Sequence, residues 1–165
     1  KRRMGIGDIL MEKKCFKVGE KASDFELFDQ NNKKFRLLDF KGKRVLLSFH
    51  PLAWTSVCAK QMQSLEKNFD EFKKLNTIAV GINIDSIPSK NAWAKTLNIK
   101  KTKLLSDFWP HGQVAQMYGV FREKDGFSDR ANIIINENQE LDFIKVYEIS
   151  ELPEIKEILT YLEEI

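Results

Sequence analysis

A nearly continuous run of apolar residues, KRVLLSFH at positions 43–50, limits the folds open to this chain more than any other feature. A run without polar alternation is typical of a strand that is buried on both faces of a sheet. Pro51 ends this run, and a second run of the same kind, TIAVGINID, occupies positions 77–85. Two such strands predict the interior of a parallel sheet, whose neighbouring strands must be joined by a crossover connection.

The segment between the two runs has the period of a helix. Its apolar residues follow one another at alternating spacings of four and three, namely Cys58, Met62, Leu65, Phe69 and Phe72. This spacing predicts one amphipathic helix over 57–75. Strand, helix and strand with short connections form a βαβ unit, in which the strands are parallel and the crossover is right-handed.

The rest of the chain continues the alternation of strands and helices. Short strand-like runs predict five further strands, at 25–29, 35–40, 103–107, 131–136 and 141–148. Helical patterns predict three further helices, at 89–97, 112–119 and 150–165, and NENQE at 136–140 predicts a hairpin turn. We therefore expect an α/β fold with a mixed central sheet and helices on both faces. We interpret residues 1–10 as a leader or a segment foreign to the domain, and residues 11–165 as one domain.

Composition and charge exclude several classes of protein. Hydrophobic residues make up 42% and charged residues 31% of the 165 positions, which is typical of a folded domain with a sizeable core. The net charge is only +3, and acidic segments alternate with the lysine clusters, so no nucleic-acid partner is expected. No apolar run approaches the roughly 20 residues of a membrane span, and no apolar signal core follows the N-terminal KRR. Two cysteines are too few for the disulfide framework of a secreted protein, so a reducing cytoplasm is the expected location.

Cys58 lies where a buried strand passes into a helix, at the carboxyl end of the predicted parallel strands. In open α/β sheets, ligands and chemistry gather at that end. The unpaired N–H groups and the positive dipole of a helix start favour a thiolate over a thiol. Thr55 and Ser56 place hydroxyl groups beside it. A reactive cysteine is therefore one interpretation of this position.

Other interpretations of Cys58 stay open on position alone. The residue also begins the apolar stripe of its helix, and free cysteine is among the most buried residue types, so a structural cysteine is an equal alternative. A metal site has less support, because His50 and His111 show no ligand spacing with the two cysteines. A C-x-x-C dithiol site is disfavoured because Gln61 occupies the place of the second cysteine.

Four segments, in order along the chain, resemble one known family. PLAWTSVC at 51–58 fits the P-x-x-x-T-x-x-C signature of the peroxiredoxins, which are thiol peroxidases with a thioredoxin-like fold. VGEKASDFEL at 18–27 resembles the opening segment of that family, and DRANIIIN at 129–136 resembles the strand that carries its active-site arginine. LLSDFWPHGQVAQMYGVF at 104–121 is similar to the alkyl hydroperoxide reductase E-like, one-cysteine branch.

The resemblance implies a role for each matching residue. Cys58 would be the peroxidatic cysteine, whose thiolate attacks the O–O bond of a peroxide and becomes a sulfenic acid. The Thr55 hydroxyl would bond the sulfur and a peroxide oxygen. Arg130 would stabilise the thiolate and the charge that moves onto the leaving oxygen. Pro51 would shield the site from water.

Further residues take supporting roles by the same resemblance. The backbone amides of Val57 and Cys58 would complete the peroxide cradle, and Gln61 would hold the arginine in place. Trp54 would line an apolar pocket for organic hydroperoxides, with packing in the core as its alternative. The resemblance implies no metal, flavin or haem. It implies a peroxide substrate, a thiol reductant and a homodimer, with the region around Trp54 and Trp109 in the subunit contact.

Two departures from the family pattern bear on mechanism. His50 stands where the family usually carries an aromatic residue, and it would either tune the charge of the site or pack. No cysteine follows Cys58, so Cys15 is the sole candidate for a resolving cysteine, and we expect an external thiol to resolve the sulfenic acid instead. A thiol–disulfide oxidoreductase and a non-catalytic, chaperone-like binding protein of the same fold are the alternative functions.

Overall fold

A seven-stranded sheet forms the centre of the structure, a computed structural model in which residues 16–165 are described. The strands of this sheet are β1 (Glu26–Asp29), β2 (Lys34–Arg36), β3 (Arg44–Phe49), β4 (Thr77–Asn83), β5 (Lys103–Ser106), β8 (Arg130–Ile135) and β9 (Leu141–Tyr147). A separate two-stranded hairpin contains β6 (Phe121–Arg122) and β7 (Phe127–Ser128). This hairpin was not predicted, because two-residue strands are too short to show a period.

The sheet is mixed, as predicted. Its strand order is β2-β1-β5-β4-β3-β8-β9. Strand β4 pairs in parallel with β3 and with β5, whereas every other pairing is antiparallel. The two apolar runs at 43–50 and 77–85 thus become neighbouring parallel strands, and the predicted βαβ unit is confirmed.

Five helices connect or follow these strands. They are α1 (Ser56–Lys67), α2 (Phe69–Lys74), α3 (Ile87–Thr96), α4 (Gln113–Met117) and α5 (Ile155–Glu164). The prediction of a single helix over 57–75 is wrong, because the helix is interrupted at Asn68. The side-chain amide of Asn68 and its own backbone N–H both donate to the Ser64 carbonyl oxygen, at 2.8 and 3.2 Å. A side chain that competes for a helical acceptor in this way favours the end of a helix.

The predicted strand at 35–40 is only partly correct. Strand β2 ends at Arg36, and Leu37–Phe40 form a 3₁₀ helix. The Asp24 carboxylate accepts the backbone N–H of Leu38 at 2.9 Å and the Arg36 Nε at 3.0 Å. Because the Asp24 carboxylate accepts the Leu38 N–H, this N–H is not available to a neighbouring strand, and the sheet pairing of β2 ends before it.

Both faces of the sheet are covered, which explains the uninterrupted apolar runs. In β3, Val45, Leu47 and Phe49 point into one buried cluster, and Leu46 points into the other. The first cluster includes residues of α4, and the second includes residues of α1, α3 and α5. The predicted helices on both faces are therefore confirmed.

Parallel pairing aligns the carboxyl ends of β3, β4 and β5 at one edge of the sheet. The segments that follow these three strands, 50–55, 84–86 and 107–112, consequently meet there. Within residues 16–165, no helix has the length and the hydropathy that a membrane span requires. The division of the chain at residue 10 and the position of Cys15 lie outside the described residues, and the domain boundary stays a prediction.

Candidate active site

Cys58 is the third residue of α1, and its side chain is buried. Its helix begins directly after the loop that follows β3, so the thiol sits at the carboxyl edge of the parallel strands. The first backbone bond of the helix runs from the Ala59 N–H to the Thr55 carbonyl oxygen. In the described part of the chain, the N–H groups of Val57 and Cys58 have no acceptor, and both remain available to a ligand.

Arg130 brings a positive charge to the sulfur. It is the first residue of β8, the antiparallel neighbour of β3, and it is buried. Its Nη1 lies 3.3 Å from the Cys58 Sγ. Its Nε and Nη2 both donate to the Ile149 carbonyl oxygen, at 2.9 and 2.7 Å, so the guanidinium plane is held in one orientation.

Gln61 fixes the other side of this guanidinium. It lies nearly one helical turn after Cys58 and is buried. Its Oε1 accepts from the Arg130 Nη1 at 2.8 Å, and its Nε2 donates to the Ser48 Oγ at 2.7 Å and to the Phe49 carbonyl oxygen at 3.1 Å. These donor contacts of Nε2 orient the amide with its oxygen toward Arg130.

Thr55 has a different partner from the one predicted. Its hydroxyl donates to the Leu52 carbonyl oxygen at 2.7 Å and makes no hydrogen bond with the Cys58 sulfur. It also occupies the N-cap position of α1 without a capping bond from its side chain. Because the hydroxyl proton is engaged by Leu52, the oxygen presents lone pairs to the exposed side of the site.

Pro51 is buried, whereas Trp54 is exposed. The alternative for Trp54, packing in the core, is therefore wrong, and its place in a substrate pocket stays a prediction. Trp54 has a φ of 67°, in the left-handed region that costs a non-glycine residue about 1–3 kcal/mol. Its Nε1 donates to the Ser89 Oγ of α3 at 3.0 Å, and the preceding N–H, that of Ala53, donates to the Asp85 carboxylate at 2.8 Å. Both bonds hold the loop in this conformation.

His50 is completely buried next to the site, and its ring centroid lies 5.6 Å from that of Trp93. Its Nδ1 lies 3.3 Å from the Ser48 carbonyl oxygen, and no residue of 16–165 gives its Nε2 a hydrogen-bond partner. Burial, and then the positive charges of Lys90 and Arg130, lower the pKa of His50 well below its usual value. His50 is therefore neutral near pH 7 and adds no charge to the site.

Lys90 is a buried charged residue that was not among the residues predicted from the sequence. It lies in the second turn of α3, and its Nζ makes a short hydrogen bond to the Asn83 Oδ1. Burial lowers the pKa of Lys90 to about 7, against the opposing effects of Asp85, Asp107 and Cys58. The sequence contains one indication of this burial. Lys90 precedes the apolar Trp93 by three residues, so the two side chains lie on the same, inner face of the helix.

Asp107 is a further buried charged group at this edge. It follows β5, and its carboxylate accepts the N–H groups of Val114 and Ala115 at 3.0 Å each. Burial raises the pKa of Asp107 to about 6, although these two hydrogen bonds oppose the change. Asp107 anchors the start of α4 beneath the site.

Cys58 has a free thiol, and Cys15 lies outside the described residues. Among residues 16–165, no group of three His, Cys, Asp or Glu side chains is suited to hold a metal ion. His111 lies apart from the thiol, with its Nε2 2.7 Å from the Gly126 carbonyl oxygen.

A family model described as AhpC/TSA matches residues 18–144 of the chain. The chain belongs to the AhpC/TSA family. Among its relatives, the alkyl hydroperoxide reductase E of Mycobacterium bovis is 37% identical over 136 residues, which are 82% of this chain and 88% of that protein. A chloroplastic 2-Cys peroxiredoxin of Arabidopsis thaliana is 36% identical over 129 residues, which are 72% of this chain and 48% of the relative.

Solved structures agree with this AhpC/TSA assignment. The reduced 2-Cys peroxiredoxin of Plasmodium vivax superposes with a TM-score of 0.81 at 30% identity, over 88% of this chain and 80% of the other. The AhpC of Enterococcus faecalis shares the fold, with a TM-score of 0.82 at 24% identity, over 89% and 90% of the two chains. The predicted resemblance and the thioredoxin-like fold are therefore confirmed, and the roles of individual residues stay predictions.

Proposed function

We propose that Cys58 is the residue with which this chain, a thiol-dependent peroxidase of the AhpC/TSA family, reduces hydroperoxides. One observation carries this assignment: the buried Cys58 sulfur lies 3.3 Å from a guanidinium nitrogen of Arg130 that Gln61 also contacts. A positive charge at this distance favours the thiolate, which is the nucleophilic form of cysteine.

The proposed reaction begins with attack of the Cys58 thiolate on one oxygen of the peroxide. An S–O bond forms, the O–O bond breaks, and the sulfur is oxidised to a sulfenic acid while the peroxide is reduced. The leaving hydroxide or alkoxide takes up a proton and departs as water or an alcohol. The guanidinium of Arg130 and the free N–H groups of Val57 and Cys58 would stabilise the charge that develops on the leaving oxygen.

Thr55 would act on the substrate rather than on the sulfur. Because its hydroxyl donates to the Leu52 carbonyl oxygen, its lone pairs can accept the O–H of a hydroperoxide. This contact would hold the hydroxyl oxygen of the hydroperoxide, which the thiolate attacks, near Cys58, and the alkyl-bearing oxygen would be the leaving oxygen. The role is consistent with the exposure of Thr55 at the mouth of the site.

Organic hydroperoxides are the proposed substrates beside hydrogen peroxide. The name of the Mycobacterium bovis relative, alkyl hydroperoxide reductase E, supports this choice. The exposed ring of Trp54, one residue before Thr55, provides an apolar surface for an alkyl group. An external thiol, thioredoxin-like or other, would attack the sulfenic acid, release water and form a mixed disulfide that a second thiol reduces.

A cytoplasmic homodimer is the proposed setting for this chemistry. Trp54, Phe108 and Trp109 are exposed aromatic residues in two segments that follow parallel strands, and exposed apolar groups of this kind support an interface. Sedimentation equilibrium at micromolar concentration tests the assembly. A sedimenting mass of one chain at all concentrations would contradict the dimer.

Stopped-flow fluorescence tests the function. Reduced protein mixed with hydrogen peroxide should show a rapid change in tryptophan emission, since Trp54 lies four residues before Cys58. Cys58→Ser should abolish the change, whereas Cys15→Ser should retain the rate of the first turnover. A wild-type rate constant no greater than that of free cysteine would overturn the proposal.

A further inference from the structure

The active-site loop, residues 51–55, lies between β3 and α1, and a carboxylate from another segment of the chain holds its middle. The Ala53 N–H donates to the Asp85 Oδ2 at 2.8 Å. Within the part of the chain that the structure describes, no other backbone N–H of this loop has a hydrogen-bond acceptor. Ala53 stands two residues before Thr55, so Asp85 fixes the backbone directly ahead of the groups proposed to bind peroxide.

Asp85 is itself held by the carboxyl edge of the sheet. The Asn83 Nδ2 donates to the same Asp85 Oδ2 at 2.7 Å, and the Asp85 N–H donates to the Asn83 Oδ1 at 3.1 Å. The Ser106 hydroxyl donates to the Asp85 carbonyl oxygen at 2.6 Å. Asn83 and Ser106 are the last residues of neighbouring parallel strands, β4 and β5. The place of the carboxylate is therefore set by the sheet and not by surface side chains.

Helix α3 adds a buried lysine to this arrangement. Of the two lysines of α3, Lys95 is exposed, whereas Lys90 is excluded from solvent and its Nζ donates to the Asn83 Oδ1. Because this oxygen accepts both from Lys90 and from the Asp85 N–H, the Asn83 amide has one orientation, with its NH₂ group toward the Asp85 carboxylate. Networks of buried hydrogen bonds rigidify the groups that they join.

The backbone of Trp54 shows why the loop needs such an anchor. Its φ of 67° lies in the left-handed region, and its ring is exposed, so packing in the core does not impose this conformation. A conformation of this kind persists only where surrounding contacts determine it. One contact is the bond from Ala53 to Asp85, and the other is the bond from the Trp54 Nε1 to the Ser89 Oγ at 3.0 Å. Both acceptors lie in the segment that follows β4, so this segment decides the conformation of the loop.

The conformation of the loop affects some of the groups at the sulfur and not others. Thr55 and the free N–H groups of Val57 and Cys58 continue directly from the loop. Arg130 instead reaches the sulfur from β8 and is held by Gln61, without a contact to the loop. A shift of the loop should therefore disturb the peroxide cradle and leave the sulfur with its cation in place.

We propose that Asp85 is a positioning residue that holds the active-site loop in the conformation required for the reaction with a peroxide, and that Asn83 and Lys90 hold Asp85 in turn. Through the loop, Asp85 favours attack of Cys58 on peroxides over its reaction with electrophiles that need only a thiolate. The inference rests on the proposed function, because it concerns the groups that bind peroxide.

Asp85→Ala tests this role, and Asp85→Asn is the conservative variant, since an amide oxygen can accept the Ala53 N–H as the carboxylate does. Glu66→Ala is the matched control. The Glu66 carboxylate also accepts a backbone N–H of a loop, that of Lys101 at 2.8 Å, but at the opposite edge of the sheet, where β5 begins.

Two second-order rate constants of the reduced protein are measured at pH 7.4 in a Cys15→Ser background, one with hydrogen peroxide and one with iodoacetamide. Both reactions use the Cys58 thiolate, so a change in thiolate fraction cancels in their ratio, whereas only the peroxide needs the cradle. We expect Asp85→Ala to lower the peroxide rate about 10²-fold, the scale for a misplacement of about 1 Å. The iodoacetamide rate should stay within about threefold of wild type, because the thiolate is retained.

Asp85→Asn and Glu66→Ala should both keep the wild-type ratio of the two rate constants. A merely structural carboxylate at position 85 would leave this ratio unchanged, because unfolding or loosening of the whole domain affects both reactions. An unchanged ratio in Asp85→Ala would therefore overturn the inference, whether the two rates are retained or fall together. An Asp85→Asn ratio as low as that of Asp85→Ala would also overturn it.

A measurement on the wild-type protein does not depend on the folding of Asp85→Ala. Hydrogen exchange is followed by NMR and corrected for the intrinsic rate of each residue. The Ala53 N–H should exchange at least about tenfold more slowly than the Trp54 N–H, which has no acceptor within residues 16–165. Equal exchange of the two groups would refute the anchor at Asp85.

These outcomes separate the two proposals. A wild-type peroxide rate no better than that of free cysteine contradicts the proposed function. A fast wild-type protein whose ratio of rate constants survives Asp85→Ala contradicts only the role of Asp85.

Discussion

In the proposed mechanism, Arg130 serves the reaction although all three nitrogens of its guanidinium are engaged. Two of its nitrogens donate to the Ile149 carbonyl oxygen, and the third is shared between Gln61 and the Cys58 sulfur. A guanidinium held by these contacts needs no reorientation when negative charge moves from the sulfur to the leaving oxygen. Preorganised donors of this kind give large contributions to catalysis.

Arg130→Ala should therefore slow the reaction with hydrogen peroxide by roughly 10²-fold or more, the scale for loss of one preorganised donor. The measurement is the second-order rate constant at pH 7.4, with circular dichroism to show that the fold is retained. Arg36→Ala, which removes an exposed arginine paired with Asp24, is the control and should keep the wild-type rate. A full rate in Arg130→Ala would contradict the assigned role.

The proposed role of Thr55 depends on its hydroxyl oxygen, which would accept the O–H of the hydroperoxide. Thr55→Val removes the acceptor and should slow peroxide reduction by roughly 10²-fold, whereas Thr55→Ser retains the hydroxyl and should stay within a few-fold of wild type. Circular dichroism should show that both variants keep the fold. A full rate in Thr55→Val would contradict the role of the hydroxyl oxygen.

At the scale of elements, α1 carries both the proposed nucleophile, Cys58, and Gln61, which positions the Arg130 guanidinium. Cys58 and Gln61 are three residues apart, so they project from one side of the helix toward β3 and β8. The amide of Gln61 connects Ser48 and the Phe49 carbonyl oxygen on β3 with Arg130 on β8. In a C-x-x-C dithiol enzyme, the position of Gln61 would hold the second cysteine. Here the side chain of Gln61 connects α1 with β3 and β8.

Gln61→Leu should destabilise the protein and slow the enzyme together. It leaves the Ser48 hydroxyl, the Phe49 carbonyl oxygen and one Arg130 nitrogen without this partner, at a cost of about 1–3 kcal/mol for each buried group that stays unsatisfied. Guanidinium unfolding and the peroxide rate constant measure the two effects. Gln63→Leu, an exposed position of the same helix, should change neither. Equal unfolding midpoints for Gln61→Leu and wild type would contradict the arrangement.

At the scale of the whole molecule, the buried Lys90 makes stability depend on pH. Its pKa is about 7 in the folded protein and about 10.5 in an exposed lysine. Between these values the unfolded chain holds a proton that the folded protein has released. The contribution of Lys90 to stability therefore rises with pH across this window, and below pH 7 the full cost of its buried charge is present.

We expect the free energy of unfolding to rise more steeply with pH in wild type than in Lys90→Met. Between pH 8.5 and 9.5 the difference in slope should be about 1.4 kcal/mol per pH unit, the value for one proton. Guanidinium titrations at several pH values measure it, and Lys95→Met should keep the wild-type slope. Parallel stability curves for wild type and Lys90→Met would show that Lys90 keeps an ordinary pKa.

The catalytic cycle is also a property of the whole molecule, because it depends on whether Cys15 can form a disulfide with Cys58. We predict a one-cysteine cycle, in which one equivalent of peroxide adds one oxygen to each chain as a sulfenic acid that a specific reagent traps. Intact mass and non-reducing gels measure this product. A loss of two hydrogens within a chain, or a covalent dimer that Cys15→Ala abolishes, would contradict it.

The sequence by itself indicated the strands of the main sheet, the mixed pairing of that sheet and the candidate residue Cys58. Period and run length are local properties, so KRVLLSFH and TIAVGINID predict buried parallel strands without knowledge of their neighbours. The P-x-x-x-T-x-x-C spacing is equally local, and it located Cys58, Thr55 and Pro51. Where a side chain overrides the local pattern, as Asn68 and Asp24 do, the predicted element was too long.

Only the tertiary structure decided which groups meet at the sulfur. Cys58 and Arg130 are 72 positions apart, and their contact follows from the pairing of β3 with β8. The burial of Lys90 depends on the packing of α3 beside β4 and β5, and a lysine carries no local sign of that environment except its place on an apolar face. Electrostatic effects depend on distance and solvent exclusion, both of which are set by the assembled sheet, so the contact of the Arg130 charge with the Cys58 sulfur emerges only in three dimensions.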